Sequence, residues 1–364
     1  MNLPLTDDFL SIVLENRPLL DVRAPIEFGL GAFPHSKNIA ILDDEQRRQI
    51  GICYKNNGNE AAMKLGQKLV NAEVQAKLLA EWKAYIEESP DTYLYCFRGG
   101  QRSGITQNWL HEAGITIPRL KGGYKAFRRF LTEQAEKITA QTNTIIIGGR
   151  TGSGKTLLLH KLDNAIDLEG LAKHRGSSFG KLISSQPAQI DFEHALYYKI
   201  LQHKARGHRH LVIEHESHNI GGLYIPKPIF DNFHQGALVV LHTSLQERVE
   251  ITYEEYVSSA LKEYAFSFKE RGRVQWYEDV SAGLDRIQKR LGSERYLKIK
   301  ALLAQHFESG HDEEHREWIE ILLREYYDPM YDYQLQKSEL PRLFEGDAKE
   351  LLDFMKSENR KDKT

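Results

Sequence analysis

The sequence predicts an α/β protein in two parts, each built on a parallel sheet, with the second part running on into a helical C-terminal region. Three observations predict it. Short apolar runs alternate with helical patterns from residue 19 to about 130. A second strand–helix alternation begins at residue 144. Beyond about residue 250 the text is almost wholly helical, rich in Glu, Lys, Arg and Tyr. Strands that alternate with helices make parallel sheets with helices on their faces.

The elements follow in order. "PLLDVR" reads as a buried strand, and "AAMKLGQKLVNAEVQAKLLAEWKAYIEES" as a helix with apolar residues at helical spacing. "TYLYCF" is a strand, "SGITQNWLHEAG" a helix closed by Gly114, and "PRLKGG" a strand and turn. "YKAFRRFLTEQAEKITAQ" reads as a charged connecting helix. "TIIIGG", "LVIEHE" and "ALVVLHTS" are three further strands, and "TLLLHKLDN" a helix after the first of them. The boundaries expected are a first domain over 1–131, a linker helix over 132–142, an α/β domain over 143–250, helices over 251–355, and a polar tail over 356–364 that is too polar to pack.

Composition bounds the function. The 364 residues are 41% hydrophobic and 27% charged, as in ordinary globular proteins, and suffice for two cores. A formal net charge of -2 leaves any nucleic-acid site to a local basic patch. No apolar run approaches the roughly 18 residues of a membrane span. "MNLPLTDDFLSIV" carries acidic residues where a signal peptide needs basic ones. Two cysteines, Cys53 and Cys96, make no disulfide framework, so the expected home is a reducing cytoplasm, away from membranes. Oligomeric state is not specified, and a monomer is compatible with all of this.

The stretch "YCFRGGQRS" sets Cys96 at a strand end before two glycines and a helix. Backbone N–H groups of Phe97 to Arg102 can curl into an anion-binding nest, and the helix N-terminus adds its positive end. Arg98 and Arg102 add full charges, and all three effects favour thiolate over thiol. Cys53, in "GICYKNNGNEAA", has no such loop and reads as a part-buried small residue. Together "LLDVRAPIEFGLGAFPHSKNIAI", "YCFRGGQRS" and "LKGGYKAF" resemble, in order and spacing, the rhodanese sulfurtransferase domain, whose loop cysteine carries a persulfide or another chalcogen. Five residues lie between Cys96 and Arg102, a wider loop than in many rhodaneses and similar to that of phosphatases of the same fold. Tyr95 stands where those phosphatases commonly have His. The width suits a phosphate-bearing chalcogen donor.

"IIIGGRTGSGKT" places Gly149, Arg150, Thr151, Gly152, Ser153, Gly154, Lys155 and Thr156 directly after a hydrophobic strand. This is G-x-x-x-x-G-K-T in the context that a P-loop NTPase-like domain requires. Glycines let N–H groups approach phosphate oxygens, Lys155 supplies a mobile charge, and Thr156 can hold Mg²⁺. "LVIEHE" ends in Glu214 where a Walker-B strand more often has Asp; Glu214 can hold magnesium through water or act as a base. No water-activating residue announces an NTPase, so the loop grips a diphosphate without specifying a nucleoside. His203, His208, His210, His215 and His218 crowd this region in sequence, but their spacing matches no metal site.

The order "CFRGGQRS", "GGRTGSGKT", "HRGSSFG", "QPAQIDFE", "YYDPMY" resembles the tRNA 2-selenouridine synthase family along nearly the whole chain. The resemblance implies a transferase that converts wobble 2-thiouridine in tRNA to 2-selenouridine with selenophosphate, through an S-geranylated intermediate made from geranyl diphosphate. It implies Cys96 as the selenium carrier and Gly149 to Thr156 as the diphosphate site, with His174 to Gly180, notably His174 and Arg175, completing that pocket. His215 and His218 stand where more acidic or basic residues would be expected after Glu214. Interleaved Arg and Tyr in "KERGRVQWYEDV", "RIQKRLGSERY" and "REYYDPMYDYQLQK" suit phosphates and splayed bases. Two other readings stay open: a rhodanese-type sulfurtransferase regulated by a nucleoside triphosphate, and a non-enzymatic RNA-binding adaptor.

Overall fold

The computed structural model describes residues 3–360, which divide into two compact units. The first comprises residues 1–138 and 188–206, the second 139–187 and 207–364.

In the first unit five parallel strands, β1 (Leu5–Thr6), β2 (Leu19–Asp21), β3 (Ser36–Asn38), β4 (Tyr93–Tyr95) and β5 (Arg119–Leu120), lie in the order β1-β5-β4-β2-β3. Leu19, Leu20 and Asp21 are all fully buried, as a strand covered on both faces must be. The buried Asp21 carboxylate is tolerable because Arg23 pairs with it: Nε donates to Oδ2 at 2.8 Å, and Nη2 to Gly31 O at 2.9 Å. The long helix expected over 61–89 is two helices, Asp44–Leu69 and Ala72–Glu88. Asn71 breaks it by accepting from the Val74 N–H at 3.0 Å, an N-cap in mid-pattern.

The units cut the chain differently from the expected boundaries. The helix Gln189–Ala205 falls with the first unit although its sequence lies inside the second. It is bound there by polar contacts that helical periodicity does not reveal. Ala32 N–H donates to Asp191 at 2.7 Å, Arg128 pairs with Glu193 at 2.7 Å, and Gln202 donates to Val13 O at 2.9 Å. Residues 132–139 are helical, the last part of the helix Gly123–Thr139, and the first stretch of the first unit ends at residue 138, inside the linker helix expected over 132–142. At the other end a helix spans Ala348–Arg360, so residues 356–360 of the expected tail are helical; 361–364 lie outside the described residues.

The second unit holds a parallel sheet of β6 (Asn143–Gly148), β7 (His210–Glu214), β10 (Ala237–Leu241) and β11 (Arg342–Gly346), in the order β11-β10-β6-β7. A small antiparallel pair, β8 (Asn219–Ile220) and β9 (Leu223–Tyr224), follows β7. Strand β11 departs from the all-helical C-terminus expected: "RLFEG" is short, mostly exposed and without alternation, as an edge strand can be. The remaining C-terminal helices bury a core that includes Trp276, Leu284, Ile299 and Trp318. No described helix is long and apolar enough to cross a membrane.

That helical core contains a pH-sensitive group. His315 is fully buried, and its Nδ1 accepts from Trp318 Nε1–H at 2.8 Å, which a protonated Nδ1 could not do. Burial, with His306 beside it, lowers the His315 pKa to about 4. The unfolded chain therefore takes up this proton first, and stability is lost as pH falls from about 6.5 through about 4. Denaturant unfolding across that range should show the fall, and His315→Gln should flatten it; a parent and variant with the same pH slope would contradict this account.

Candidate active sites

Cys96 directly follows β4 and begins the loop into the helix Gln101–Glu112. The loop is braced from "RLKGGYK", read from the sequence as a strand, a turn and the start of a helix and as part of the rhodanese resemblance, with no contact to the loop foreseen. Arg119 donates to the carbonyls of Gly99 at 2.7 Å and Gly100 at 3.0 Å. Tyr124 N–H donates to Cys96 O at 2.9 Å and Lys125 N–H to Phe97 O at 3.0 Å. Gly123, at φ +59°, lies so close that a Cβ there would sit 2.3 Å from both Cys96 O and Gly99 N. Only glycine fits this position. With those carbonyls held outward, no protein acceptor engages the N–H groups of Phe97 to Arg102 among the described residues. They remain available to an anion.

Cys96 is nearly buried, and its Sγ lies 3.1 Å from Ser103 Oγ in the first turn of the helix. The thiol thus meets a hydroxyl and a helix N-terminus together. The two arginines separate in role. Arg98 is exposed and engaged by no ion pair among the described residues. Arg102 forms a two-pronged ion pair with the buried Glu27, whose second contact is 3.1 Å, and Arg47 joins Glu27 at 3.0 Å. Burial works against the Glu27 carboxylate, but Arg102 and Arg47 outweigh it and hold it below its usual range. Much of the Arg102 charge is therefore balanced by Glu27, and this arginine acts as a strut. Glu27 and Ser103 lie inside the segments that carry the rhodanese resemblance, and Arg119 in "PRLKGG", but the sequence assigned none of them a role, because each finds its partner only in the fold. Cys53 lies part-buried in the helix Asp44–Leu69.

In the second unit the loop Gly149–Thr156 connects β6 to a helix of only five residues, Lys155–Leu159, shorter than expected. Lys155 Nζ donates back to Gly149 O at 2.9 Å, holding the ammonium over its own loop. A Cβ at Gly152, φ +76°, would meet Thr252 Oγ1 at 2.4 Å, so this close approach also demands glycine. The loop is fastened from outside. Arg248, buried, donates to Thr151 O at 3.1 Å and pairs with Asp328 at 2.7 and 3.1 Å. Thr243 Oγ1 donates to Ser153 O at 2.9 Å. Arg150 turns to Asp332, with two contacts of 2.9 Å. Asp328, from "YYDPMY", thus reaches the phosphate loop through Arg248, a link visible only in three dimensions.

Around Lys155 stand carboxylates. Burial pushes the Lys155 ammonium below its usual pKa, against the fields of Glu169, Glu216 and Glu214. Glu214 is buried, its Oε1 accepts from Glu169 N–H at 2.7 Å, and its Oε2 has no partner among the described residues. Burial raises the Glu214 carboxyl to about 8. Glu169 and Glu216 converge at Gly176, and burial raises both. His215 lies near enough to Lys155 to feel its charge, and burial lowers it to about 4. His203 belongs to the first unit and the other four histidines to the second. Among the described residues no group of three or more His, Cys, Asp or Glu is placed to hold a metal.

His174 and Arg175 line the same cleft as Thr156 and Glu169, 710 Å³ in volume. Their turn closes through Arg175 N–H to Gly180 O at 2.9 Å. Arg175 pairs with Glu255 at 3.0 Å and lies over the Tyr256 ring. Glu255 and Tyr256 sit in a π-turn, Glu254–Ser258, a local widening that often marks functional positions.

A family model described as the tRNA 2-selenouridine synthase AAA domain matches residues 142–362. Three relatives, each called tRNA 2-selenouridine synthase, match nearly end to end. The protein of Sulfurovum sp. is 49% identical over 97% of this chain and 98% of its own. That of Hydrogenovibrio crunogenus is 47% identical over 98% and 99%, and that of Alcanivorax borkumensis 44% over 97% and 99%. The chain belongs to the tRNA 2-selenouridine synthase family. In this member of the tRNA 2-selenouridine synthases, then, Cys96 and its braced loop lie outside the matched AAA segment, and the Lys155 loop and its cleft lie within it.

Proposed function

We propose that the protein replaces the sulfur of wobble 2-thiouridine in tRNA by selenium, as a transferase acting in two steps in the cytoplasm. In the first, the thiocarbonyl sulfur attacks C1 of geranyl diphosphate. The C–S bond forms, the C–O bond breaks, diphosphate departs, and the N3 proton of the base is released. In the second, the selenium of selenophosphate, held against Cys96, attacks C2, the C2–S bond breaks as geranylthiolate leaves, and water then cleaves the Se–P bond to release phosphate. Alkylation matters because it turns a poor leaving group into a good one.

The observation that carries this reading is the joint presence, in a member of this family, of Cys96 in an anion-ready loop and Lys155 in a diphosphate loop. Lys155 and the N–H groups of Gly152 to Thr156 would steady the departing diphosphate, the charge that grows in the transition state. Mg²⁺ would find ligands beside them in Glu214, a buried carboxyl oxygen of which has no partner among the described residues, and in Thr156, a hydroxyl in the cleft. Magnesium needs only one or two protein ligands when phosphates and waters supply the rest, and when bound it would offset the charge of the diphosphate. Near the cysteine loop, the free N–H groups and exposed Arg98 suit the phosphate of selenophosphate.

The test is mass analysis of wobble nucleosides in cells lacking the protein. Selenouridine should vanish while 2-thiouridine remains. Selenouridine at the parental level would refute the proposal.

A further inference from the structure

Thr156, at the end of the phosphate loop, shares its cleft with side chains that have no part in gripping phosphate. Leu182 and Ile183 come from the chain after the His174–Gly180 turn, and Phe266 from the helix Ser259–Phe268. Phe266 is 90% exposed, more than any other large hydrophobic side chain described as exposed. An aromatic ring left in water forfeits the gain of burial, and no neighbouring element of the unit recovers it here. A ring so exposed at the rim of a ligand-sized cleft is placed to be covered by a ligand. The cationic side chain of Arg175 is already paired with Glu255, and the apolar trio shares the lining with Ser184, Lys262, Glu263 and Ser267.

We propose that Phe266, Leu182 and Ile183 form the subsite for the isoprenoid chain of the diphosphate held by Gly149–Thr156. This rests on the geranyl-transfer reading above. Methyl-branched allylic carbons gain by covering an aromatic face and two aliphatic side chains, and they ask for no hydrogen bond. A nucleobase in the same place would bring polar edges that these three side chains cannot satisfy, and its recognition would fall to Ser184, Lys262, Glu263 and Ser267 of the same lining, which titration with ATP tests. The subsite thus makes affinity depend on the chain, while the loop sees only the diphosphate.

The experiment is calorimetric titration of the full chain with pyrophosphate, dimethylallyl, geranyl and farnesyl diphosphates and ATP. The parent should prefer geranyl diphosphate to pyrophosphate by about tenfold or more, in line with burial of several carbons. Phe266→Ala should lose most of that preference with pyrophosphate affinity unchanged, and Phe266→Leu should restore part of it. Because the ring is exposed, neither change threatens folding, and pyrophosphate binding itself reports an intact loop. A preference that survives Phe266→Ala, or an equal loss for pyrophosphate and geranyl diphosphate, overturns the subsite alone. A parent that binds ATP and ignores every prenyl diphosphate overturns both the subsite and the geranyl-transfer reading.

Discussion

Cys96→Ser is expected to accumulate S-geranylated tRNA and to form no selenouridine. The change is nearly isosteric, and the loop is braced by Gly123, Arg119 and Tyr124 rather than by sulfur, so the fold should persist. What disappears is a soft, polarisable sulfur beside Ser103 and the helix N-terminus. A serine hydroxyl is hard and weakly nucleophilic and cannot engage selenium in its place. Purified variant, supplied with S-geranylated tRNA and selenophosphate, should return the substrate unchanged on nucleoside mass analysis. Cys53→Ser should behave as the parent, since its thiol lies in a helix without any such cradle. Selenouridine formed by Cys96→Ser at the parental rate would remove Cys96 from the reaction.

Lys155→Ala should produce the opposite block. Its ammonium hangs over the loop on Gly149 O, where a departing diphosphate would take the carbonyl's place as partner. Loss of one such charge costs the transition state about 3 kcal/mol, roughly a hundredfold in rate. Geranylation of thiouridine tRNA should fall by about that factor, while tRNA already geranylated is still converted to the seleno form. The assay is the same mass analysis with the two tRNAs supplied in turn. Undiminished geranylation by Lys155→Ala would show that the phosphate loop serves another step.

The two candidate centres were legible in the sequence because each depends on neighbours along the chain. A phosphate loop is eight consecutive residues after a strand, and the cysteine loop is seven, so their identities and spacings state most of their geometry. The parallel α/β architecture was legible for a similar reason, since strand and helix periods are local properties. Asn71 and β11 escaped because each is a short exception, a cap within a helical pattern and an edge strand without alternation.

What holds the centres was decided only by tertiary structure. Glu27 meets Arg102 across 75 positions, and Arg248 carries Asp328 to Thr151 across 80 and 97. Such pairs leave no period and no motif, because any exposed Glu or Arg in a helix reads the same until folding buries it beside a partner. Burial also turned Arg102 from a presumed charge donor into a strut, and placed the helix Gln189–Ala205 with the first unit. Residue identity and short spacing state which chemistry a chain can offer. Desolvation and pairing between distant residues, which exist only after folding, decide which of those charges remain free to act.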